Sequence, residues 1–257
     1  MAEDQAPPWA VALDQLDALQ RAGQVAALLL AAHDEGLLDR LAAGTGPQEA
    51  GVDADRLTAV LGVLAAYGVA EQVDGGWALT EGWRQVVQGE SPVSLEAVLG
   101  FGRVRTEQLA AALSPVADYW QLPAGDRLLV ARGASFDPTV PAGPAMVRKD
   151  LEDLPTVVAA LEQGGRLLEL GCGVASRLTA LLRAFPTATA VGVELAPDLV
   201  AYGRARAEQV GVAERLELVV ADATSYEPEG LFDLVGWSQF FFPEPVRAGA
   251  LATALGA

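Results

Sequence analysis

The strongest constraint in this chain is a short apolar run that stops on glycines. Arg166 to Leu170 reads R-L-L-E-L and breaks into Gly171-Cys172-Gly173; Leu178, Leu181, Leu182 and Phe185 then follow at helical spacing. Ala188 to Val193 is a second apolar run, and it ends on Glu194. Strand, glycine turn, helix and strand within 166–194 is the size of a βαβ unit. The glycines let the backbone turn tightly and approach a ligand, while the helix beyond them offers free N–H groups.

The pattern continues. Pro197 opens a helix that stops at Gly211, and a third strand, Leu216 to Val220, ends in Ala221-Asp222-Ala223. A fourth, Phe232 to Gly236, ends in Trp237-Ser238-Gln239, and a helix over Val246 to Leu255 follows. The strand ends therefore bring polar groups to one edge, where open α/β sheets bind ligands. Glu194 closes the second strand, where a carboxylate can accept both hydrogen bonds of a ribose diol. The competing reading, a turn chosen for packing with solvated acids around it, does not account for acids recurring at successive strand ends.

The spacing Gly171-x-Gly173-x-x-Ser176 is also close to a dinucleotide fingerprint. A pyrophosphate needs a helix N-terminus free of anions, yet Glu169 stands two residues before the first glycine. A ligand carrying an amine and a sulfonium tolerates that carboxylate far better, which favours S-adenosylmethionine.

Earlier in the chain the texture is helical. Gln24 to Leu41 is a helical pattern broken near Gly36; Asp53 can cap a second helix bearing Leu57, Val60, Leu61 and Leu64, which Gly68 ends. Strands over Val69 to Val73 and Trp77 to Leu79 flank the turn Asp74-Gly75-Gly76. That is the order of a winged helix. Between the two textures, Leu95 to Leu122 reads as a helix interrupted by Pro115, Gly133 to Pro144 as a Pro/Gly-rich loop, and Ala145 to Gln163 as a further helix. The expected division is 1–92 winged-helix-like, 93–163 connecting helices, and 164–257 the nucleotide-binding part.

Charge excludes one use of a winged helix. The chain has 17 Lys+Arg against 34 Asp+Glu, a net charge of −17, so nucleic acid is not the expected partner. One cysteine, Cys172, and one histidine, His33, leave no Cys/His zinc site, and no metal is expected. Cys172 reads as a small residue filling the turn, and His33 as a packing or surface residue. No basic leader precedes an apolar stretch at Met1 to Pro8, and no apolar run reaches the roughly 18 residues of a membrane span, so a cytoplasmic protein is expected.

Residues 166–245 resemble the front half of class I S-adenosylmethionine-dependent methyltransferases. The resemblance rests on L-E-L-G-C-G at 168–173, V-G-V-E at 191–194, V-A-D-A at 220–223 and F-D-L-V at 232–235. The N-terminal part is similar to the dimerisation domain of small-molecule O-methyltransferases, and the connector with Phe136 and Met146 to the helices those enzymes place over the active site. The resemblance implies a Rossmann-like sheet behind an all-α, winged-helix-like domain, and methyl transfer to an aromatic or apolar natural-product-like acceptor, most often at oxygen. It implies that Glu169, Gly171, Cys172 and Gly173 hold the methionine part, Glu194 the ribose, Leu195, Asp222 and Ala223 the adenine, with Trp237 and Ser238 flanking the cofactor. Phe136, Met146 and Gln239 would face the acceptor, beside Phe240 and Phe241.

Two departures stand out. Ala175 replaces the motif's third glycine, and four strands are read where the family has seven. Either another polypeptide completes the sheet or the chain is a truncated product; the expected partners are such a polypeptide or, through the N-terminal part, a second copy of the chain. The alternative to a self-sufficient enzyme is a cofactor-binding subunit of a split methyltransferase, or a methyltransferase-like fold with another activity. No residue is assigned as catalytic base.

Overall fold

The computed structural model describes residues 8–46, 53–92, 94–110 and 122–257, which fall into two compact units, Met1–Gln88 and Gly89–Ala257.

In the first unit α1 (Pro8–Asp34) and α2 (Leu37–Ala42) are separated at Gly36, whose φ of 67° only glycine adopts cheaply. α3 (Ala54–Ala66) is capped by Asp53, whose side chain accepts from the N–H groups of Asp55 and Arg56. β1 (Ala70–Val73) and β2 (Gly76–Leu79) pair antiparallel, and α4 (Glu81–Val87) follows. Leu37, Leu38 and Leu41 of α2, Leu57, Leu61 and Leu64 of α3 and Leu79 of β2 are among the unit's buried residues. The winged-helix order read from the sequence is the order observed.

The second unit starts with α5 (Leu95–Ala110) and α6 (Ala124–Gly133); the expected helix break at Pro115 lies outside the described residues. α7 (Ala142–Asp150) and α8 (Pro155–Glu162) correct two expectations. Pro144 is not in a loop but in the first turn of α7, where its missing N–H costs nothing. The single helix expected over 145–163 is two, because Pro155 excludes Leu154 from the helical region and restarts the chain as the first residue of α8.

Four parallel strands follow with their crossovers: β3 (Arg166–Leu170), α9 (Ser176–Ala184), β4 (Thr189–Glu194), α10 (Pro197–Gln209), β5 (Leu216–Val220), β6 (Leu234–Trp237) and α11 (Glu244–Gly256). β6 begins two residues later than read from the sequence; Asp233 instead accepts from the Arg166 N–H at 2.8 Å. The order is β5-β4-β3-β6, so the chain reverses its direction of travel between β3 and β6.

Both faces are covered. Leu167 joins Leu178, Leu181, Leu182 and Phe185 of the α9 side, while Leu168 and Leu170 join Phe242 and Ala250 of the α11 side. Strands buried on both faces read as continuous apolar runs, which is why 166–170 shows no alternation.

Candidate functional site

The site forms at the carboxyl ends of β3, β4 and β6, around the point where the strand order reverses. The turn after β3 is clipped to β4. The N–H groups of Gly171 and Cys172 both donate to the Val193 carbonyl, at 2.8 and 3.0 Å. Glu194, 2% exposed, supplies the third clip: one carboxylate oxygen accepts from the Gly173 N–H at 2.9 Å, the other from the Ala196 N–H at 3.0 Å. Burial pushes its carboxyl up from the ordinary value, against the pull of these N–H groups.

Gly171, Gly173 and Ala175 have φ of 67°, 57° and 53°. A Cβ on Gly171 would stand 2.8 Å from the Phe242 ring, whereas one on Gly173 would meet nothing within 4 Å. Gly171 is thus fixed by contact and conformation, Gly173 by conformation alone. Ala175 holds the third left-handed position at a cost of about 1 kcal/mol, and its buried methyl packs with Val200 and Leu218.

Two adjoining cavities share Gly171 and Phe242. The first, about 230 Å³, lies beside Leu195, Asp222, Ala223 and Val246. The second, about 260 Å³, lies over the glycine turn and takes in Glu169, Cys172, Arg177, Glu194, Ser238 and Phe136. Asp222 is partly engaged, since one of its oxygens accepts from the N–H and hydroxyl of Thr224, both at 2.8 Å. Cys172 lies against Gly192, where a Cβ would come within 2.8 Å of its sulfur; burial first, then the neighbouring Glu169 and Glu194, pushes its thiol well up.

Glu169 points from the same face of β3 as Leu167, into the second cavity. Its Oε2 is out of solvent and has no hydrogen-bond partner. Burial raises its carboxyl to about 7, opposed by the charge of Arg177.

The residues read from the sequence are thus brought together with three exceptions. Trp237 pairs in register with Leu170 and shares its face; its ring meets Phe242 edge-on at 5.5 Å, in the core beneath α11 rather than in either cavity. Met146, 40% exposed on α7, and Gln239, exposed after β6, line neither cavity. Phe241 lines the second cavity, and the Phe240 side chain lies outside the described residues. Phe242 and Arg177 were not singled out from the sequence. Phe242 could have been found as the aromatic that a bare Gly171 accommodates. Arg177 lies on a helix whose other spacing signals only core.

Residues 167–256 match the family described as methyltransferase domain. This segment is similar to methyltransferase domains. The match covers about a third of the chain, and S-adenosylmethionine is the cofactor it points to.

The fold extends the likeness over most of the chain. The pyocyanin biosynthetic protein PhzM superposes with a TM-score of 0.67 at 19% identity, covering 95% of this chain and 76% of that one. An O-methyltransferase family protein from Burkholderia thailandensis gives 0.64 at 17%, covering 98% and 77%. The mitomycin 7-O-methyltransferase MmcR gives 0.55 at 20%, covering 89% and 70%. No curated protein matches the sequence. Among the described residues no helix is long and apolar enough to cross a membrane.

The site fits S-adenosylmethionine. The orphaned Oε2 of Glu169 suits a cation, open space stands over Gly173, and Glu194 keeps a second lone pair on each oxygen after its two backbone bonds.

Proposed function

We propose that the protein methylates a hydroxyl group of a small aromatic or apolar acceptor. The observation that carries this reading is the pairing of a clipped glycine turn with two inward carboxyl groups, Glu169 and Glu194, at the reversal of strand order. Glu194 takes the ribose hydroxyls on the oxygens that already brace Gly173 and Ala196. Leu195, Asp222 and Ala223 border the first cavity and take the adenine. Glu169 faces the methionine end beside Gly171, Cys172 and Gly173, and Ser238 closes the cavity from β6.

The cofactor supplies an electrophilic methyl on a positively charged sulfur. The chain's own part is placement and exclusion of water. Glu169 and Glu194 orient the bound molecule, while Phe136, Phe241 and Phe242 give the cavity its apolar walls. In the same unit the 89–163 segment is tied to α9 and α10: Arg127 pairs with Asp198 at 2.8 Å, Arg206 with Asp137, and Arg183 donates to the carbonyls of Pro138 and Val140. These ties keep Phe136 over the site.

The solved relatives that resemble the whole chain include a mitomycin 7-O-methyltransferase and a pyocyanin biosynthetic protein, which supports an aromatic natural-product-like acceptor and oxygen as the methylated atom. Assembly as a homodimer through the first unit is the accompanying expectation, checked by light scattering.

The test is a thermal-shift titration with S-adenosylhomocysteine, followed by incubation with S-adenosylmethionine and a panel of phenols. A rise in melting temperature is expected, because a ligand that binds only the folded state stabilises it. Mass spectrometry should then find one added methyl on a phenol oxygen. Methylation found only on nitrogen or carbon would overturn the oxygen assignment, and no shift with the nucleoside would overturn the site.

A further inference from the structure

α10 carries a polar stripe with no part in either cavity. Asp198, Tyr202 and Arg206 stand at i, i+4 and i+8, so they share one face of the helix. Each meets the segment that covers the second cavity. Asp198 pairs with Arg127 of α6 at 2.8 Å, the Arg132 guanidinium carbon near the end of α6 lies 5.6 Å from the centre of the Tyr202 ring, and Arg206 pairs with Asp137 in the loop beyond. α6 and its loop therefore run along α10 in step, with opposite charges met at both ends of the stripe.

This contact stands behind the cavity wall. None of these six side chains lines either cavity, whereas Ala131, Ala134, Ser135 and Phe136, interleaved with Arg132 and Asp137 along the same segment, line the second. Asp198 in the first turn of α10 and Arg206 in the last also suit the helix dipole. That role would be met with both side chains in water. Both instead reach across to a partner, and in the Arg206–Asp137 pair the side chains are only 23% and 24% exposed.

Asp137 joins the two halves of the contact. One carboxylate oxygen accepts from the N–H and hydroxyl of Thr139, at 2.9 and 2.6 Å, and closes the loop on itself; the other is the one Arg206 holds. Burial works to raise the Asp137 carboxyl, but Thr139 and Arg206 together hold it below its ordinary value, so the pair stays charged at neutral pH. Arg206 is fixed in turn: it donates to Gln209 at 2.8 Å, and its Nε is shut out of solvent. Phe136 is the chain neighbour of Asp137, so a displacement of this pair carries the Phe136 ring with it.

We infer that Asp137 and Arg206 are positioning residues whose pairing sets how firmly the 134–141 segment closes the second cavity, and so how fast a ligand beneath it leaves. The inference deepens the proposed function and rests on it for the identity of that ligand, not for the clasp. No residue of this segment lines the first cavity, so a ligand that stops short of the second should not sense the pair.

The experiment compares the wild-type chain with Arg206→Gln, Asp137→Asn and the double variant. Asparagine keeps an oxygen for Thr139 and loses the charge that Arg206 meets. Surface plasmon resonance with S-adenosylhomocysteine, whose amino-acid end lies over the glycine turn in the proposed reading, should show dissociation about fivefold faster in each single variant. The double variant should be no faster than the quicker single, because one pairing cannot be lost twice. Arg206→Lys should recover part of the loss, since the charge remains. Adenosine, which stops at the ribose, should keep its affinity in every variant. Unchanged dissociation in the singles or additive effects in the double would overturn the inference. So would adenosine weakened in parallel, which is the mark of general damage to the fold. Hydrogen exchange needs no nucleoside: peptides from 134–141 should exchange about fivefold faster in Arg206→Gln, while those from β3 and β4 exchange as in wild type. A wild type that binds neither nucleoside would sink the cofactor reading; exchange then decides alone, and equal rates in 134–141 would overturn the clasp.

Discussion

Glu194 shows how one side chain can brace the backbone and still serve a ligand. Its two oxygens each take a backbone N–H, from Gly173 and Ala196, so a replacement must satisfy two donors at once. Glutamine cannot, because its amide NH₂ would face one of them. Glu194→Gln should cost about 1–3 kcal/mol in urea unfolding and also weaken S-adenosylhomocysteine; binding without loss of stability would refute the bracing role. Glu169 leads to a prediction in pH. Its carboxyl keeps its proton to about 7 in the folded chain, against an ordinary 4.5, so between those values the folded state binds more protons than the unfolded. Stability should therefore fall as pH rises through this window, by about 2 kcal/mol once solvent access is allowed for. Glu169→Gln should remove that fall, which urea melts at pH 5 and pH 8 would reveal. The positions of both acids were legible, because each stands next to a break in an apolar run. Their partners were not, since backbone N–H groups leave no trace in the sequence. Arg177 also escaped, being one cation on a helix whose remaining pattern signals only core.

At the scale of elements, glycines decide how closely neighbours approach. Gly133 ends α6 where it crosses α5: a Cβ there would lie 2.4 Å from Phe101 Cβ and 2.6 Å from the Ala97 carbonyl oxygen. Gly100 on α5 meets Leu129 in the same way, at 2.7 Å. A flexible leucine can move, but a backbone carbonyl cannot. Gly133→Ala should therefore destabilise by about 1–3 kcal/mol, more than Gly100→Ala, and denaturant midpoints for the two variants would show the order. Reversed costs would place the tight contact elsewhere. These contacts were invisible beforehand, because the sequence gives a helix's faces but not which helix it crosses. The break between α7 and α8 was legible at Pro155 and was overridden by the apolar periodicity around it. The turn of Trp237 into the core was hidden for a different reason: β6 is apolar on both faces, so alternation carries no information about which side a residue takes.

Over the whole molecule, the two units pair a winged-helix order with a parallel sheet, and each was legible from its own punctuation: Gly68 and Asp74-Gly75-Gly76 in one, the glycine turn and strand-end acids in the other. Shape and charge then disagree about the first unit. A winged helix that grips DNA must release counterions by placing cations against phosphates, and affinity scales with the number so neutralised. The only Lys or Arg residues in 1–88 are Arg21, Arg40, Arg56 and Arg84, and Arg84 is already engaged by Glu81 at 2.6 Å. α3 opens on Asp53 and Asp55 with Arg56 beside them, and the turn of the wing carries Asp74. With a net charge of −17 on the whole chain, the long-range field repels a polyanion before any contact forms. The full-length protein should therefore show no retention of duplex DNA of mixed sequence by fluorescence anisotropy, at about 0.15 M salt or in low salt, where screening is weakest. Binding that strengthens as salt is lowered would mean that local cations outweigh the global field, and the first unit would then have to be read as a nucleic-acid surface.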